Sequence, residues 1–338
     1  MKISVNPTMS NNLRRPPAIS ILLSYVNNLK AATKTKENDI LIFEPQSIGD
    51  IFQTLSLVNQ LKIQRNIDKI NFISTKRSTP IIKLFNNVNN VLELNNIDYL
   101  RLELFSNTEW YKNQKNIVAP CAANHIIGQK HEDFIEWTSA FFDKNPMEFR
   151  KETLGLPSSV RPELPHIPKD QYEKSVESAK RQGLNSDSLI IFNHAHSAHP
   201  LPSIIYKSLL DLFPGGVYYD AWAKNIPQWA KPLKMSLVDI PTFADLAGAV
   251  INVRSGITEL LSMSKANIYT IYPDTNWLAH WFQEDPRAVA AFRSHGIRDL
   301  QLNPESTEKK IFIENSYTKK EMAKKIYQIV SKQIPGDI

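Results

Sequence analysis

Between Asp39 and Leu94 the chain alternates short strand-like runs with a stretch whose apolar residues recur every three or four positions. Asp39–Phe43 (DILIF) is a continuous apolar run of the kind a parallel strand shows when both faces of its sheet are covered, and Lys69–Ser74 (KINFIS) reads as the next strand. Between them a loop, Glu44–Gly49, leads into a predicted helix with Ile51, Leu55, Val58 and Leu61 on one face. Ser78 and Pro80 open a further helix over STPIIKLF, because proline suits the first helical turn, and Val91–Leu94 supplies a third strand. Strand, helix, strand, helix, strand within about 55 residues predicts a Rossmann-like half.

The period is lost over residues 95–165, where an aromatic-rich section, Trp110 to Phe149, reads only as mixed loops and helices. Pro157, Pro162, Pro165 and Pro168 punctuate a linker, and Lys169–Gln182 is a predicted helix stopped by Gly183. A second alternating series follows. Leu189–Asn193, Val217–Asp220, Val250–Val253 and Asn267–Tyr272 read as strands, and Ser203–Phe213, Gly256–Ser264 and Tyr317–Lys332 as helices. Thr242 is placed as the cap of a short helix, FADLAGA. The fold class expected is α/β, with two Rossmann-like domains whose parallel sheets face each other across a ligand cleft. The expected division is an extension over 1–38, a first domain over 39–165, a second over 166–315 and a C-terminal helix over 316–338.

Length agrees, since 338 residues exceed one ordinary core and suit two. The net charge of +6 favours anionic partners such as nucleotides, sugar phosphates or an acidic membrane face. No arginine-rich stripe or known module argues for nucleic acid, so none is expected as a partner. The single cysteine, Cys121, forms no internal disulfide and no cysteine metal cluster, which suits a reducing compartment. No apolar run approaches the length of a membrane span. Ala18–Val26 (AISILLSYV) follows Arg14 and Arg15 like a signal peptide but lacks a small-residue cleavage site, and reads as an amphipathic helix packed on the fold or lying against a membrane. A cytoplasmic protein is expected, with room for peripheral contact with an anionic inner-membrane surface.

Two segments carry a family resemblance. Residues 40–62, ILIFEPQSIGDIFQTLSLVNQLK, contain Ser47-Ile48-Gly49-Asp50 between a strand and a helix, and INFISTKRSTPIIKLFNNVNNVLEL follows. Residues 241–273, PTFADLAGAVINVRSGITELLSMSKANIYTIYP, hold a short helix, a strand, a Ser-Gly turn and a second helix. Together these segments, about a quarter of the chain, resemble the family-nine glycosyltransferases, the group of the lipopolysaccharide heptosyltransferases. The resemblance implies a GT-B fold, with an N-terminal acceptor domain and a C-terminal nucleotide-sugar domain. It also implies inverting, metal-independent transfer of a sugar from a nucleotide donor to lipopolysaccharide core or a related cell-surface glycan, without a cofactor. Two features depart from the family. The loop after the first strand of the second series reads His194-Ala195-His196-Ser197-Ala198-His199-Pro200, without a basic residue until Lys207. The donor turn, acidic before its glycine and histidine after it in the family, reads Arg254-Ser255-Gly256-Ile257-Thr258-Glu259, with the charges nearly exchanged. These departures make the transferase class firmer than the sugar.

Inverting transfer needs a base for the acceptor hydroxyl and groups that stabilise the leaving diphosphate. An aspartate that opens a helix is ordinarily an N-cap, but the resemblance at Ser47, Ile48 and Gly49 assigns Asp50 as the base on an acceptor-side loop. Gly49 there lets the backbone turn tightly and approach a ligand. On the donor side Ser255, Gly256 and Ile257 precede or open a helix whose free N–H groups favour phosphate. Arg254 adds a charge-assisted bond, Glu259 accepts from a ribose, and both also read as ordinary solvated helix residues. Asn193, His194, His196 and Ser197 complete the donor set, with one histidine supplying a proton or a charge. The histidine spacing makes a poor metal site, and no metal is expected. Trp277, His280 and Trp281 either stack on a base or sugar or sit in the core. Two other readings remain open: a GT-B nucleotide-sugar epimerase, and a non-catalytic protein that binds a sugar nucleotide or a partner.

Overall fold

The computed structural model describes residues 31, 38–43, 48–94, 117–118, 145–193, 201–222, 225–273, 295–314 and 316–332. The first sheet is all parallel. Strands β1 (Ile40–Phe43), β2 (Ile70–Thr75), β3 (Asn90–Leu94) and β4 (Ile117–Val118) lie in the order β3-β2-β1-β4, with Ile40 level with Ile70 and Leu41 level with both Asn71 and Ile117. The second sheet contains β5 (Ser188–Phe192), β6 (Gly216–Asp220), β7 (Lys231–Leu233), β8 (Ala249–Val253), β9 (Asn267–Pro273) and β10 (Lys309–Ile313) in the order β10-β9-β8-β5-β6-β7. It too is parallel throughout. The architecture is therefore α/β with two parallel sheets, as the alternating pattern predicts.

Residues of β1, β2, β5 and β8 are buried on both faces, so their sequences read as runs and not as alternations. One apolar core joins the two halves. It takes Ile42, Phe52 and Phe72 from the first sheet and its helices, and Val250, Ile257 and Leu260 from the second. A separate core fills the other face of the second sheet, between Leu189, Ile191 and Ile251 and the helix α8 (Lys319–Ser331), which contributes Ile326 and Val330. Thr318 and Glu321 form a reciprocal capping box that starts α8 two residues after the predicted Tyr317.

Several predicted helices differ in length or type. The long helix after β1 divides into α1 (Ile48–Leu55) and α2 (Val58–Gln64). At the break the Ser56 carbonyl accepts from Glu163 N at 2.8 Å, and the Ser56 hydroxyl bonds back to the Gln53 carbonyl at 2.7 Å. The helical ladder is thus interrupted by the returning linker, whose Glu163 carboxylate also accepts from Asn59 and Gln60. STPIIKLF forms only one turn, α3 (Thr79–Ile82), because the next bonds, Leu84 N to Ile81 and Phe85 N to Ile82, tighten to three-residue spacing. Ser203–Leu212 is a 3₁₀ helix. Tyr206, Leu209 and Leu212 recur every third residue, and the tighter winding aligns them toward the second core.

Thr242 is no cap. It is fully buried inside α6 (Ile240–Leu246), which starts two residues earlier with Pro241 in its first turn and continues from a short 3₁₀ turn, Leu237–Asp239, that a Ser236–Asp239 capping box opens. Two further helices complete the order, α4 (Pro146–Thr153) and α5 (Lys169–Arg181), and Gly183 at φ +83° follows the end of α5 as its stop. A helix α7 (Gly256–Leu261) follows β8 and is three residues shorter than predicted. The expected extension over 1–38 falls outside the described residues save Ala31 and Asn38, and its predicted helix over Ala18–Val26 falls outside them entirely.

Candidate active site

Strand order identifies where each sheet offers a crevice. In the first sheet β2 and β3 lie on one side of β1 and β4 on the other, so the chain reverses direction at the carboxyl end of β1. In the second, β6 and β7 lie on one side of β5 while β8, β9 and β10 lie on the other. Ligands of open parallel sheets bind at such switch points. The residue after β8 is Arg254, and α1 with Asp50 follows β1, so both sets of sequence-predicted charges lie at these points.

The two points meet. Helices α1 and α7 pack against each other, and their first turns touch through Gly49 and Gly256. A Cβ on Gly49 would lie 2.8 Å from Glu259 Oε2 and 2.9 Å from Gly256 Cα, and one on Gly256 would lie 2.7 Å from Gly49 N. Only hydrogen in place of a side chain permits this approach.

A chain of polar contacts runs through that junction. Asp50 lies in the first turn of α1, two residues inside its start, and its Oδ1 accepts from Arg150 Nη2 at 2.5 Å. Arg150, on α4, also donates through Nη1 to Gln53 Oε1 at 2.6 Å. Gln53 Nε2 donates in turn to Glu259 Oε1 at 2.8 Å. Arg254 closes the chain by gripping Glu259 with both terminal nitrogens, Nη2 to Oε1 at 2.7 Å and Nη1 to Oε2 at 3.0 Å. It also donates to main-chain oxygens, Nε to His295 at 2.9 Å and Nη1 to Ser255 at 2.7 Å.

Burial governs the electrostatics. The Arg254 and Glu259 side chains are 9% and 2% exposed, so each charge is sustained by the other. For Arg254, burial disfavours the cation, but Glu259, Tyr272 and Glu308 more than restore it and hold its pKa above the ordinary value. His295 is the reverse case. Burial, then the nearby Arg254, Arg150 and Lys310, push its pKa down to about 3, so it is a neutral imidazole at physiological pH. Asp50 keeps 25% exposure while its arginine partner is buried.

The structure thus brings together Gly49, Asp50, Arg254, Gly256 and Glu259. Arg254 and Glu259 are engaged with each other, where the sequence reading gave one to phosphate and the other to ribose. Ser255 is the N-cap of α7: its hydroxyl accepts from Ile257 N at 3.4 Å, and Thr258 Oγ1 accepts from Ser255 N. Two of the N–H groups expected at a phosphate, those of Ser255 and Ile257, are therefore bonded within the chain. Ile48 packs on the core, and Ile257 belongs to it. Asn193 ties the loop after β5 at its base, with Nδ2 to the Leu201 carbonyl at 2.7 Å and Oδ1 accepting from Leu201 N and Tyr206 Oη. Ser47, Cys121, His194, His196, Ser197, His199, Trp277, His280 and Trp281 lie outside the described residues.

Arg150 and Gln53 are site residues that the sequence reading missed. Gln53 had a readable signal, a polar residue one turn from Asp50 on the same helix. Arg150 had none, because its helix shows no clear apolar face, though Asn145 and Pro146 mark its start. Among the described residues no group of three or more His, Cys, Asp or Glu is placed to hold a metal ion, and no helix is long and apolar enough to cross a membrane.

No protein-family model and no curated protein matches the chain. Solved structures do. E. coli ADP-heptose LPS heptosyltransferase II matches with a TM-score of 0.50 at 12% identity, covering 87% of this chain and 99% of that one. A family-nine glycosyl transferase from Veillonella parvula gives 0.50 at 12% identity, covering 89% and 93%. E. coli heptosyltransferase WaaC with ADP gives 0.50 at 13% identity, covering 87% and 99%. The chain therefore has a GT-B fold, of the heptosyltransferase-like form of family nine. At these identities the likeness is one of fold.

Proposed function

We propose that the chain is a glycosyltransferase that moves a sugar from a nucleotide-sugar donor to a lipopolysaccharide or other cell-surface glycan. The observation that carries this reading is that Asp50 directly follows Gly49, whose contact with the α7 turn joins the two switch points, in a fold shared with heptosyltransferases. The division used is an acceptor unit over 39–165 and a nucleotide-sugar unit over 166–315. In the proposed reaction Asp50 removes the proton of the acceptor hydroxyl while that oxygen attacks the anomeric carbon. The bond from that carbon to the diphosphate breaks, the nucleoside diphosphate leaves, and the configuration inverts. No metal or cofactor enters this scheme. The acceptor would be met at the cytoplasmic side of a membrane, to which the chain's positive charge is attracted.

One observation favours a second reading, a non-catalytic protein of this fold that binds a sugar nucleotide or a partner. Arg254 and Glu259 are paired with each other and Ser255 caps its own helix, so three of the expected donor contacts are satisfied internally. A thermal-shift panel of ADP-heptose, UDP-, GDP- and dTDP-hexoses and CMP-Kdo tests donor binding directly. A ligand at about a hundred times its Kd adds roughly 2.7 kcal/mol to folding stability. A shift with one donor class is expected. A folded sample that none of them stabilises contradicts the transferase reading and leaves the non-catalytic, partner-binding one.

A further inference from the structure

We propose that Arg150 is the positioning residue of Asp50, and that Gln53 braces it from the side of Glu259. This rests on the reading of Asp50 as the base. Arg150 is 1% exposed and comes from a segment in which the sequence pattern shows no site. Its terminal nitrogens take two different side chains of α1, Nη2 reaching Asp50 and Nη1 reaching Gln53. Asp50 and Gln53 stand one turn apart, so the guanidinium spans a helical turn with a fixed planar fork that a lysine ammonium does not supply.

Gln53 completes the brace. Its carbonyl oxygen accepts from Arg150 and its amide nitrogen donates to Glu259, so the amide has one orientation that satisfies both neighbours. The guanidinium plane is thereby fixed, and with it the rotation of the Asp50 carboxyl group. Stability alone gives little reason for a wholly buried arginine here, since an apolar residue of similar volume serves a core as well. A base, however, must meet its proton within hydrogen-bond reach, and a displacement of about 1 Å costs on the order of a hundredfold in rate.

Arg150 is itself held from the second half of the chain. Asn145 caps α4 by accepting from Met147 N and donates to the Asp299 carbonyl, and Lys151 Nζ reaches Gln301 Oε1 at 3.0 Å. Glu259 on α7 anchors Gln53. The orientation of the base thus depends on contacts that only the assembled pair of halves provides.

The test compares Arg150→Lys, Gln53→Met and Asp50→Asn in the full chain. Release of ADP from ADP-heptose is followed with heptose-deficient lipopolysaccharide as acceptor, and the melting temperature of each variant is recorded. Arg150→Lys is expected to lower kcat about a hundredfold with KM for ADP-heptose within about twofold, and Gln53→Met to act in the same direction but less. A lowered melting temperature or a raised KM with kcat intact in both variants makes Arg150 a structural tie and overturns the proposal. If kcat is intact in both while Asp50→Asn is inactive, the positioning role falls and the base stands. Turnover retained by Asp50→Asn removes the base reading, and this proposal with it.

Discussion

Arg254 and Glu259 show how a charge pattern can be right in place and different in use. Two opposite charges five residues apart, one just before a helix and one in its first turn, meet as a two-pronged buried pair. A pair of this kind tolerates the loss of neither member, because the survivor is left charged in the interior. Glu259→Gln is therefore expected to lower unfolding stability by about 3–5 kcal/mol, measured by urea denaturation. A loss within about 1 kcal/mol would show that the pair is hydrated in solution. The sequence placed both residues at the site but could not show their pairing, since the spacing alone fits two solvated helix positions equally well. His295 was out of reach for a similar reason: its neutrality depends on Arg254, Arg150 and Lys310, which converge only in three dimensions.

Elements were legible where one force decided them. The buried strands β1, β2, β5, β8 and β9 follow from their apolar runs, and the end of α5 from Gly183. Short edge strands were not. β7 has three residues and β10 reads KKIFI, so neither shows the run of a central strand. The break between α1 and α2 depends on Glu163, a hundred residues away, which local pattern cannot include. The contact of α1 with α7 is likewise a long-range event, yet its requirement is local, a glycine on each side. Gly49→Ala is expected to force the helices apart and cost about 1–3 kcal/mol, seen as a lower melting temperature. An unchanged melting temperature would mean that the two first turns are not in contact in solution.

At the scale of the whole molecule, two parallel sheets each present a switch point, and these converge on one junction. The architecture was readable because alternation of period and run length repeats along the chain. The place of Gly49 and Asp50 at the junction was readable through Ile48-Gly49-Asp50. The completion of the site was not, because Arg150 comes from a segment without period. Nothing in the fold itself requires chemistry, since the same architecture hosts many functions. What argues for chemistry is a quarter-exposed aspartate held by a buried arginine, next in sequence to the glycine that meets the first turn of α7. The most direct measurement is transfer and donor binding by wild type and Asp50→Asn side by side, with ADP-heptose as donor, heptose-deficient lipopolysaccharide as acceptor and calorimetry for binding. Turnover reduced by about a hundredfold or more with donor affinity unchanged is expected. Equal turnover in the two proteins would contradict a base at Asp50 and, with it, the catalytic reading of the junction.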